Sequence, residues 1–333
     1  MADVKPSDEA RVVTRAADAA HTLRQVWDYL RDNIAILALI FVVALFSIIS
    51  PAFFTLGNFA NIGRQTAMIA IMACGMTMVI ISANIDLSVA STLSLAAMLA
   101  GLVVEATGST LLALATGIIT GVFVGFVNGI LTTKGRIPSF LVTLGMMGVA
   151  RGAAMMVTET KPVVIYNESY WYAFGDGDLF GALPIAIFWT IIVLIVTHII
   201  LSYTSLGRYI YATGGNREAA RFTGVKTDRT VIITFIIMGI LAAFAGIILS
   251  SRMHASRPGT GEGMELNVIA AVILGGTSLF GGKGTIIGAL VGALVIGALN
   301  NGLIILGFNT HVQMLVRGLV IILAVLFARE ERG

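Results

Sequence analysis

Hydrophobic residues dominate the chain from about residue 34 onward, in long runs separated by short polar breaks. A helix needs about 20 mostly apolar residues to cross a membrane, because the hydrocarbon core is about 30 Å thick. The pattern predicts ten spans, at about residues 34–50, 66–83, 88–107, 110–131, 137–158, 184–202, 230–250, 267–280, 284–306 and 312–328. The breaks after the second and eighth spans could instead be kinks inside the membrane, which would lower the count by one or two. We therefore predict an all-α, polytopic integral membrane protein.

Residues 1–33 differ from the rest of the chain because they are polar. Apolar side chains recur every three or four residues from Val12 to Leu30, and the arginines lie on other faces. This spacing predicts an amphipathic helix on the cytoplasmic membrane surface. A signal peptide is not expected, since the charged region is too long and no small-residue cleavage site follows the first span.

The composition agrees with a membrane protein. Hydrophobic residues make up 57% of the 333 residues and charged residues only 12%, against about 25% charged in a soluble domain. That excludes a soluble enzyme, a nucleic-acid-binding protein, a disordered chain and a disulfide-stapled secreted domain. The single cysteine, Cys74, cannot form an internal disulfide.

Lysine and arginine positions predict the orientation. With ten spans and a cytoplasmic N-terminus, most of the 21 basic residues fall in cytoplasmic segments. Only Arg64, Lys161, Arg252 and Arg257 fall in segments on the external side of the membrane. The positive-inside rule therefore places both termini in the cytoplasm.

Two spans carry similar stripes of glycine at four-residue spacing, which let a second helix approach closely. The glycines are Gly117, Gly121 and Gly125 in the fourth span and Gly284, Gly288 and Gly292 in the ninth. Asparagine follows in both spans, as Asn128 in the fourth and as Asn300 and Asn301 in the ninth. Spans two to five then match spans seven to ten as an inverted repeat, the usual frame of a transporter. The alternative is that any tightly packed membrane helix uses such glycines.

The longest cytoplasmic segment between spans, residues 203–229, predicts a short helix outside the membrane. Gly214 and Gly215 are expected to form a turn, Asn216 to cap the helix and Gly224 to end it. So short a helix is marginal alone in water, so it should pack against the bundle or a partner. The alternative is a simple basic loop.

This segment also resembles a known motif. Glu218-Ala219-Ala220, followed after three residues by Gly224, is similar to the EAA loop of ABC importer permeases. Other stretches resemble the ribose/xylose/arabinose branch of ABC sugar permeases, at residues 84–91, 138–145, 151–152, 207–216 and 275–282. The chain departs from the pattern in lacking the Leu-Pro half of the EAA signature, and in having Asn84 and Ala90 where members often have glycine.

The resemblance implies the permease subunit of an importer for a ribose-, xylose- or arabinose-like monosaccharide or a similar polyol. Residues 34–328 would form the permease domain, and a separate ATPase would drive alternating access through the coupling loop, residues 203–229. The ATPase-coupling residues would be Gly214, Gly215, Asn216, Glu218, Ala219, Ala220 and Gly224. ATP and magnesium would bind the partner ATPase, with no cofactor on this chain.

The resemblance also implies the other partners. They are a second permease copy, membrane lipid and an external sugar-binding protein that lands on the outer segments 51–65, 159–183 and 251–266. No nucleic acid is expected, and the location would be a bacterial plasma (inner) membrane.

Nothing in the sequence predicts chemistry on the chain itself. The nearest approach to a phosphate-binding loop, residues 277–284, has Thr277 in place of its first glycine and Gly284 in place of the magnesium-binding Ser or Thr. No zinc-binding helix or catalytic set is suggested, so we expect no metal site. The spans hold few acidic residues, which is sparse for a proton-driven carrier. A self-sufficient carrier or channel and a membrane enzyme remain the alternatives.

A sugar path needs neutral hydrogen-bonding groups. The candidates are Asn84, Asp86, Ser88, Asn128, Thr143, Asn300 and Asn301. Asp86 is the strongest, because a charge beside a break between spans requires a reason. The alternatives are hydrogen bonds between helices, or caps at the start of the third span made by Asp86 and Ser88.

Overall fold

The computed structural model describes residues 34–179, 181 and 183–328. The amphipathic helix predicted at residues 1–33 lies outside these residues. Ten helices among these residues overlap the ten predicted spans. They are α1 (Ile34–Ile49), α2 (Leu56–Ile81), α3 (Val89–Thr107), α4 (Thr110–Thr133), α5 (Ser139–Val157), α7 (Ile185–Tyr203), α10 (Thr227–Met253), α11 (Met264–Leu274), α12 (Ile286–Ile305) and α13 (Thr310–Ala328).

Three shorter helices and four very short strands connect them. The helices are α6 (Glu168–Phe174), α8 (Ser205–Gly215) and α9 (Arg217–Phe222). The strands are β1 (Val163–Val164), β2 (Asp178–Leu179), β3 (Leu183–Pro184) and β4 (Ala255–Ser256). β1 pairs antiparallel with β4 and β2 with β3.

Within the described residues, seven helices are long and apolar enough to cross a membrane, namely α2, α3, α4, α5, α7, α10 and α12. Two more, α1 and α11, are apolar but shorter. The chain is therefore an all-α polytopic membrane protein. The eighth predicted span, 267–280, is wrong in extent, because α11 has only 11 residues. It ends at Leu274 because Gly275 lies against the backbone of Gly288 and Gly276 adopts a left-handed φ of 83°.

The two halves of the bundle exchange contacts in a matching way. Within each half, the second helix packs on the third and fourth, as α3 does on α4 and α5 and as α11 does on α12 and α13. Between the halves, α4 packs on α10 and α12 packs on α2. Each half thus packs its third helix on the first helix of the other half, as expected of two related repeats that share one core.

Glycine allows these contacts between backbones. A Cβ on Gly121 would overlap the carbonyl oxygen of Gly239, and one on Gly125 would overlap that of Phe235, so α4 lies directly on α10. A Cβ on Gly117 would lie 2.8 Å from Cδ1 of Ile247 in the same interface.

In the ninth span, Gly288 and Gly292 lie against the backbones of Gly275 and Ala271 in α11. Gly284 does not belong to this stripe, contrary to the prediction. Thr285 caps α12, its Oγ1 accepting a hydrogen bond from the Gly288 N–H at 3.0 Å, so the helix begins only at Ile286. Gly284 lies in the preceding turn, where a Cβ would meet the Thr277 side chain.

Candidate functional site

The coupling loop, residues 203–229, contains two helices rather than one. Thr204 caps α8, and the Asn216 side chain caps α9 by accepting a hydrogen bond from the Ala219 N–H at 3.0 Å. Gly224, with φ 89°, follows the end of α9.

Gly214 and Gly215 do not form the predicted turn. They are the last residues of α8, because the Asn216 N–H still bonds the Ala212 carbonyl at 3.2 Å. The chain turns instead at Asn216, whose backbone is extended with φ −156°.

Asp228, in the first turn of α10, anchors α9. Its Oδ1 accepts hydrogen bonds from Arg217 at 3.0 Å and from Arg221 at 2.6 Å. Lys134, at the end of α4, lies 3.8 Å from the same carboxylate. One face of α9 is thereby held against α10, while Glu218 and Ala219 are exposed and 91% of Phe222 is accessible.

The end of α8 lies where both halves of the bundle meet. A Cβ on Gly214 would overlap the carbonyl oxygen of Ile81, at the end of α2, and would lie 2.9 Å from the nitrogen of Gly282. One turn earlier, the Tyr211 hydroxyl donates a hydrogen bond to the Gly284 carbonyl at 2.7 Å. Burial raises the pKa of Tyr211 above its ordinary value, which favours the protonated hydroxyl that donates this hydrogen bond.

Four of the predicted path residues come together at the start of α3. Asp86 Oδ1 accepts hydrogen bonds from the Ser88 N–H at 2.8 Å and from Ser88 Oγ at 2.6 Å. The Asn128 amide, from α4, donates to Ser88 Oγ at 2.9 Å. Thr143 Oγ1, from α5, accepts from the Leu87 N–H at 3.0 Å. We call Asp86, Ser88, Asn128 and Thr143 the polar centre; all four are buried.

The capping alternative accounts for only part of the polar centre. Ser88 makes no capping hydrogen bond with its side chain, although the Asp86 carboxylate does bind the Ser88 N–H at the start of α3. Asn84 is buried and lies two residues before Asp86 in the chain. Its side-chain amide, however, donates hydrogen bonds only to Ser82 among the described residues. The Asn128 Oδ1 atom is buried and has no partner among the described residues.

Asn300 and Asn301 do not join the polar centre. They lie near the end of α12, which packs mainly on α1, α2, α7 and α11 rather than on α3, α4 or α5. The Oδ1 atoms of both are buried without a hydrogen-bond partner in the described part of the chain.

A segment predicted to lie outside the membrane instead runs back along α3. After α10 the chain passes along α3, where Ser256 Oγ donates to the Ala97 carbonyl at 2.8 Å. Farther on, a Cβ on Gly261 would lie 3.2 Å from the Leu93 side chain. The segment 255–263 therefore follows α3 inward, and the prediction of 251–266 as an outer landing surface is wrong for these residues.

Sequence reasoning missed an ion pair that this re-entrant segment makes. Glu262 Oε1 lies 3.0 Å from Nη1 of Arg151 in α5. Two signals pointed to it: an eighth span too short to cross a membrane, and three glycines at alternate positions, all with left-handed φ angles in the structure (Gly259, Gly261 and Gly263). Among the described residues, no group of three or more side chains that could hold a metal ion occurs.

The chain is similar to known permeases over most of its length. A family model described as the permease component of a branched-chain amino acid transport system matches residues 58–325. The ribose import permease protein RbsC of Escherichia coli K12 is 42% identical over 324 residues, 96% of this chain and 100% of that protein. RbsC of Bacillus subtilis 168 is 41% identical over 297 residues, 89% of this chain and 92% of that protein.

A third relative is named for a different sugar. The L-arabinose transport system permease protein AraH of Escherichia coli K12 is 38% identical over 317 residues, 95% of each chain. No solved structure matches the chain significantly.

Proposed function

Because the chain belongs to the family of ABC importer permeases, we propose that it moves ribose, or a closely related monosaccharide or polyol, across a bacterial plasma membrane. The chain is the permease subunit of a sugar ABC importer rather than a self-sufficient carrier or channel. It is not an enzyme, since ATP hydrolysis in this family belongs to a separate subunit. Its partners accordingly include an ATPase and a substrate-binding protein.

The relatives support ribose as the substrate, and the polar centre supports a sugar in general. Relatives at 41–42% identity, in two distant bacteria, are named for ribose, and the arabinose relative is somewhat less similar. The polar centre offers hydroxyl, amide and carboxylate groups, which suit the many hydroxyls of a neutral sugar. We therefore propose that Asp86, Ser88, Asn128 and Thr143 contribute to the path, with Asn84 beside them.

Asn300 and Asn301 belong to a separate part of the proposed path. Their unpartnered oxygens are candidate acceptors for sugar hydroxyls. Because α12 packs away from the polar centre, we assign them to a different stage of passage.

The proposed mechanism rests on one observation: one face of α9 is held against the bundle and the other face is exposed. Its buried residue Ala220 faces the bundle, Asp228 holds its arginines, and Phe222 and Glu218 remain free to meet another protein. We propose that the ATPase binds here, with ATP and magnesium on the ATPase itself. Its closure would move α9, and the contacts of Gly214 would transmit the motion to both halves of the bundle as rigid pieces.

We further propose that two copies of the chain assemble in the membrane with both termini in the cytoplasm. The excess of basic residues in the coupling loop supports this orientation. The dimer follows from the resemblance to ABC importer permeases, in which two permease chains form the membrane channel. Residues 1–33 would lie on the cytoplasmic surface and residues 34–328 would form the permease domain.

The proposed function is tested with Glu218→Arg in the complex of the chain with its ATPase and binding protein. We expect the substitution to abolish ATPase association and D-ribose uptake, because it reverses an exposed charge on the docking helix. Uptake of D-ribose, L-arabinose and L-leucine is compared in the unmodified complex. Association unaffected by Glu218→Arg would remove the docking role, and uptake of leucine without either sugar would remove the assignment of substrate.

A further inference from the structure

Distances along the neighbouring helices indicate that Glu262 lies near the middle of the membrane, although it follows the long helix α10. The start of α3 is set inward from the ends of its neighbours, since Ser88 bonds Asn128, more than one turn before the end of α4. Gly261 lies one further turn along α3, with a Cβ position 3.7 Å from the Ala90 carbonyl. At 1.5 Å per residue, Gly261 therefore lies roughly 10–15 Å from the level of the C-terminal end of α4. This depth is about half of a 30 Å hydrocarbon core.

The length of α11 independently indicates the same depth for Met264, two residues after Glu262. Its 11 residues span only about 16 Å. α11 ends at Leu274, and the following Gly275 packs on Gly288 in the first turn of α12. Met264, at the other end, is therefore also near the middle of the core, and α11 is a half-helix that starts there.

Arg151 reaches the same level from α5. It lies about 18 Å along this helix of 19 residues. Its guanidinium bonds the Glu262 carboxylate at 3.0 Å. Two charged side chains from different halves of the bundle thus meet where a lipid environment is most unfavourable for charge.

The pair is nevertheless accessible at the surface of the single chain. The side chain of Arg151 is 28% exposed and that of Glu262 is 65% exposed. A carboxylate this exposed at mid-membrane requires water rather than lipid in front of it. Next to the pair, Gly263 provides no side-chain cap for α11, and Glu265 Oε2 is buried without a partner among the described residues. The unpartnered oxygen of Glu265 is therefore a further hydrogen-bond acceptor, three residues after Glu262 in the chain.

We propose that Arg151 and Glu262 bind the hydroxyl groups of the sugar during its passage, at a site midway through the membrane. This inference rests on the proposed function, because it assumes that the chain moves a neutral polyhydroxyl compound. The guanidinium donates hydrogen bonds to sugar oxygens, and the carboxylate accepts them from sugar hydroxyls. The pair faces away from its own bundle, so in the proposed dimer the opposite wall of the site is the second copy.

An ion pair suits a site through which a neutral sugar passes better than a single charged residue does. Each member neutralises the other when no sugar is present, so the site stays open to water without holding an ion tightly. A sugar can then bridge the two groups without any change in net charge. A half-helix that begins at mid-membrane is also where substrate sites of transporters built from repeats are found.

The first test uses Arg151→Gln and Glu262→Gln in the complex reconstituted with its ATPase and binding protein in liposomes. We expect the maximal rate of D-ribose uptake to fall about tenfold, the loss typical of one charge-assisted hydrogen bond. ATP hydrolysis should stay within about twofold of the unmodified complex, so fewer sugars move per ATP. A merely structural role would lower both together. Glu105→Gln, which makes the same change near the end of α3, is the matched control and should transport normally.

The second test measures access of water directly. Glu262→Cys should react with a charged, membrane-impermeant methanethiosulfonate, and D-ribose should slow the reaction. Ile195→Cys, in the middle of α7 and 54% exposed, is the control for a surface that faces lipid, and it should not react. The native Cys74 is buried and provides the background.

The outcomes separate this inference from the proposed function. An unmodified complex that takes up neither D-ribose nor L-arabinose would overturn both. An unmodified complex that transports, with both glutamine variants transporting at the same rate per ATP, would overturn only the role of the pair. Glu262→Cys as unreactive as Ile195→Cys would also overturn it, since the pair would then be a contact between copies or with lipid.

Discussion

Gly214 lies directly on Ile81, so close that a single added methyl group would overlap the carbonyl oxygen of Ile81. The Gly282 N–H donates a hydrogen bond to this same oxygen at 2.9 Å. The end of α8, the end of α2 and the turn before α12 therefore meet at one point. Because α2 and α12 belong to different halves, we expect a movement of the coupling loop to reach both halves through this contact.

Gly214→Ala should destabilise the purified chain, because its Cβ would collide with backbone atoms that cannot rotate away. Gly215→Ala is the matched control, since nothing lies within 4 Å of its Cβ position and the residue is next in the same helix. We expect a lower melting temperature for Gly214→Ala only. Equal melting temperatures for the two variants would contradict the contact.

The interface between α4 and α10 leads to a second prediction. Gly121→Ala would press a Cβ into the carbonyl oxygen of Gly239, and such overpacking costs about 1–3 kcal/mol. Gly57→Ala, in open space at the start of α2, should cost nothing. Thermal unfolding in detergent measures both, and a Gly121→Ala protein as stable as the Gly57→Ala protein would disprove the close approach of the two helices.

Asp228→Asn should loosen α9, because the amide keeps a hydrogen-bond acceptor but loses the attraction to Arg217 and Arg221. We expect faster amide hydrogen exchange in residues 216–224 and weaker association with the ATPase. High salt should weaken the anchor in the unmodified chain in the same direction, since partly exposed ion pairs are screened. If neither Asp228→Asn nor high salt changed the exchange rates, α9 would be held by apolar packing instead.

Two substitutions of Asp86 separate structure from transport. Asp86→Ala removes the acceptor for both Ser88 hydrogen bonds in a buried site, so the yield of folded protein should fall. Asp86→Asn keeps an oxygen for Ser88, so the yield should survive while D-ribose uptake decreases. Normal uptake by Asp86→Asn would leave Asp86 with a structural role only.

Hydrophobic patterning predicted where each of the ten helices from α1 to α13 that overlap the predicted spans lies, because a run of apolar residues marks a helix that is buried in lipid or in the core. It did not predict the length of α11. It also predicted the cap at Asn216 and the stop at Gly224, since these depend on local backbone chemistry. It failed where long-range contacts decide. α11 ends early because Gly275 touches Gly288, and Gly214 remains helical because it packs on Ile81.

The depth of Glu262 was also beyond the pattern. A polar segment rich in glycine is typical of an exposed loop, and neither the short eighth span nor the alternate glycines shows by itself that this one follows α3 into the membrane. The acidic residues counted within the predicted spans therefore do not include Glu262, which lies between two of them. The polar centre was easier to predict, because Asp86 and Ser88 are neighbours in sequence and Asn128 follows the glycine stripe of α4.

The central claim is that this chain moves sugar only when another subunit's ATP cycle drives it. The most direct measurement is uptake of radiolabelled D-ribose into liposomes that contain the chain alone, or the chain with its ATPase, binding protein and ATP. The account predicts accumulation only when all components are present. Accumulation by the chain alone, driven by an ion gradient, would contradict it.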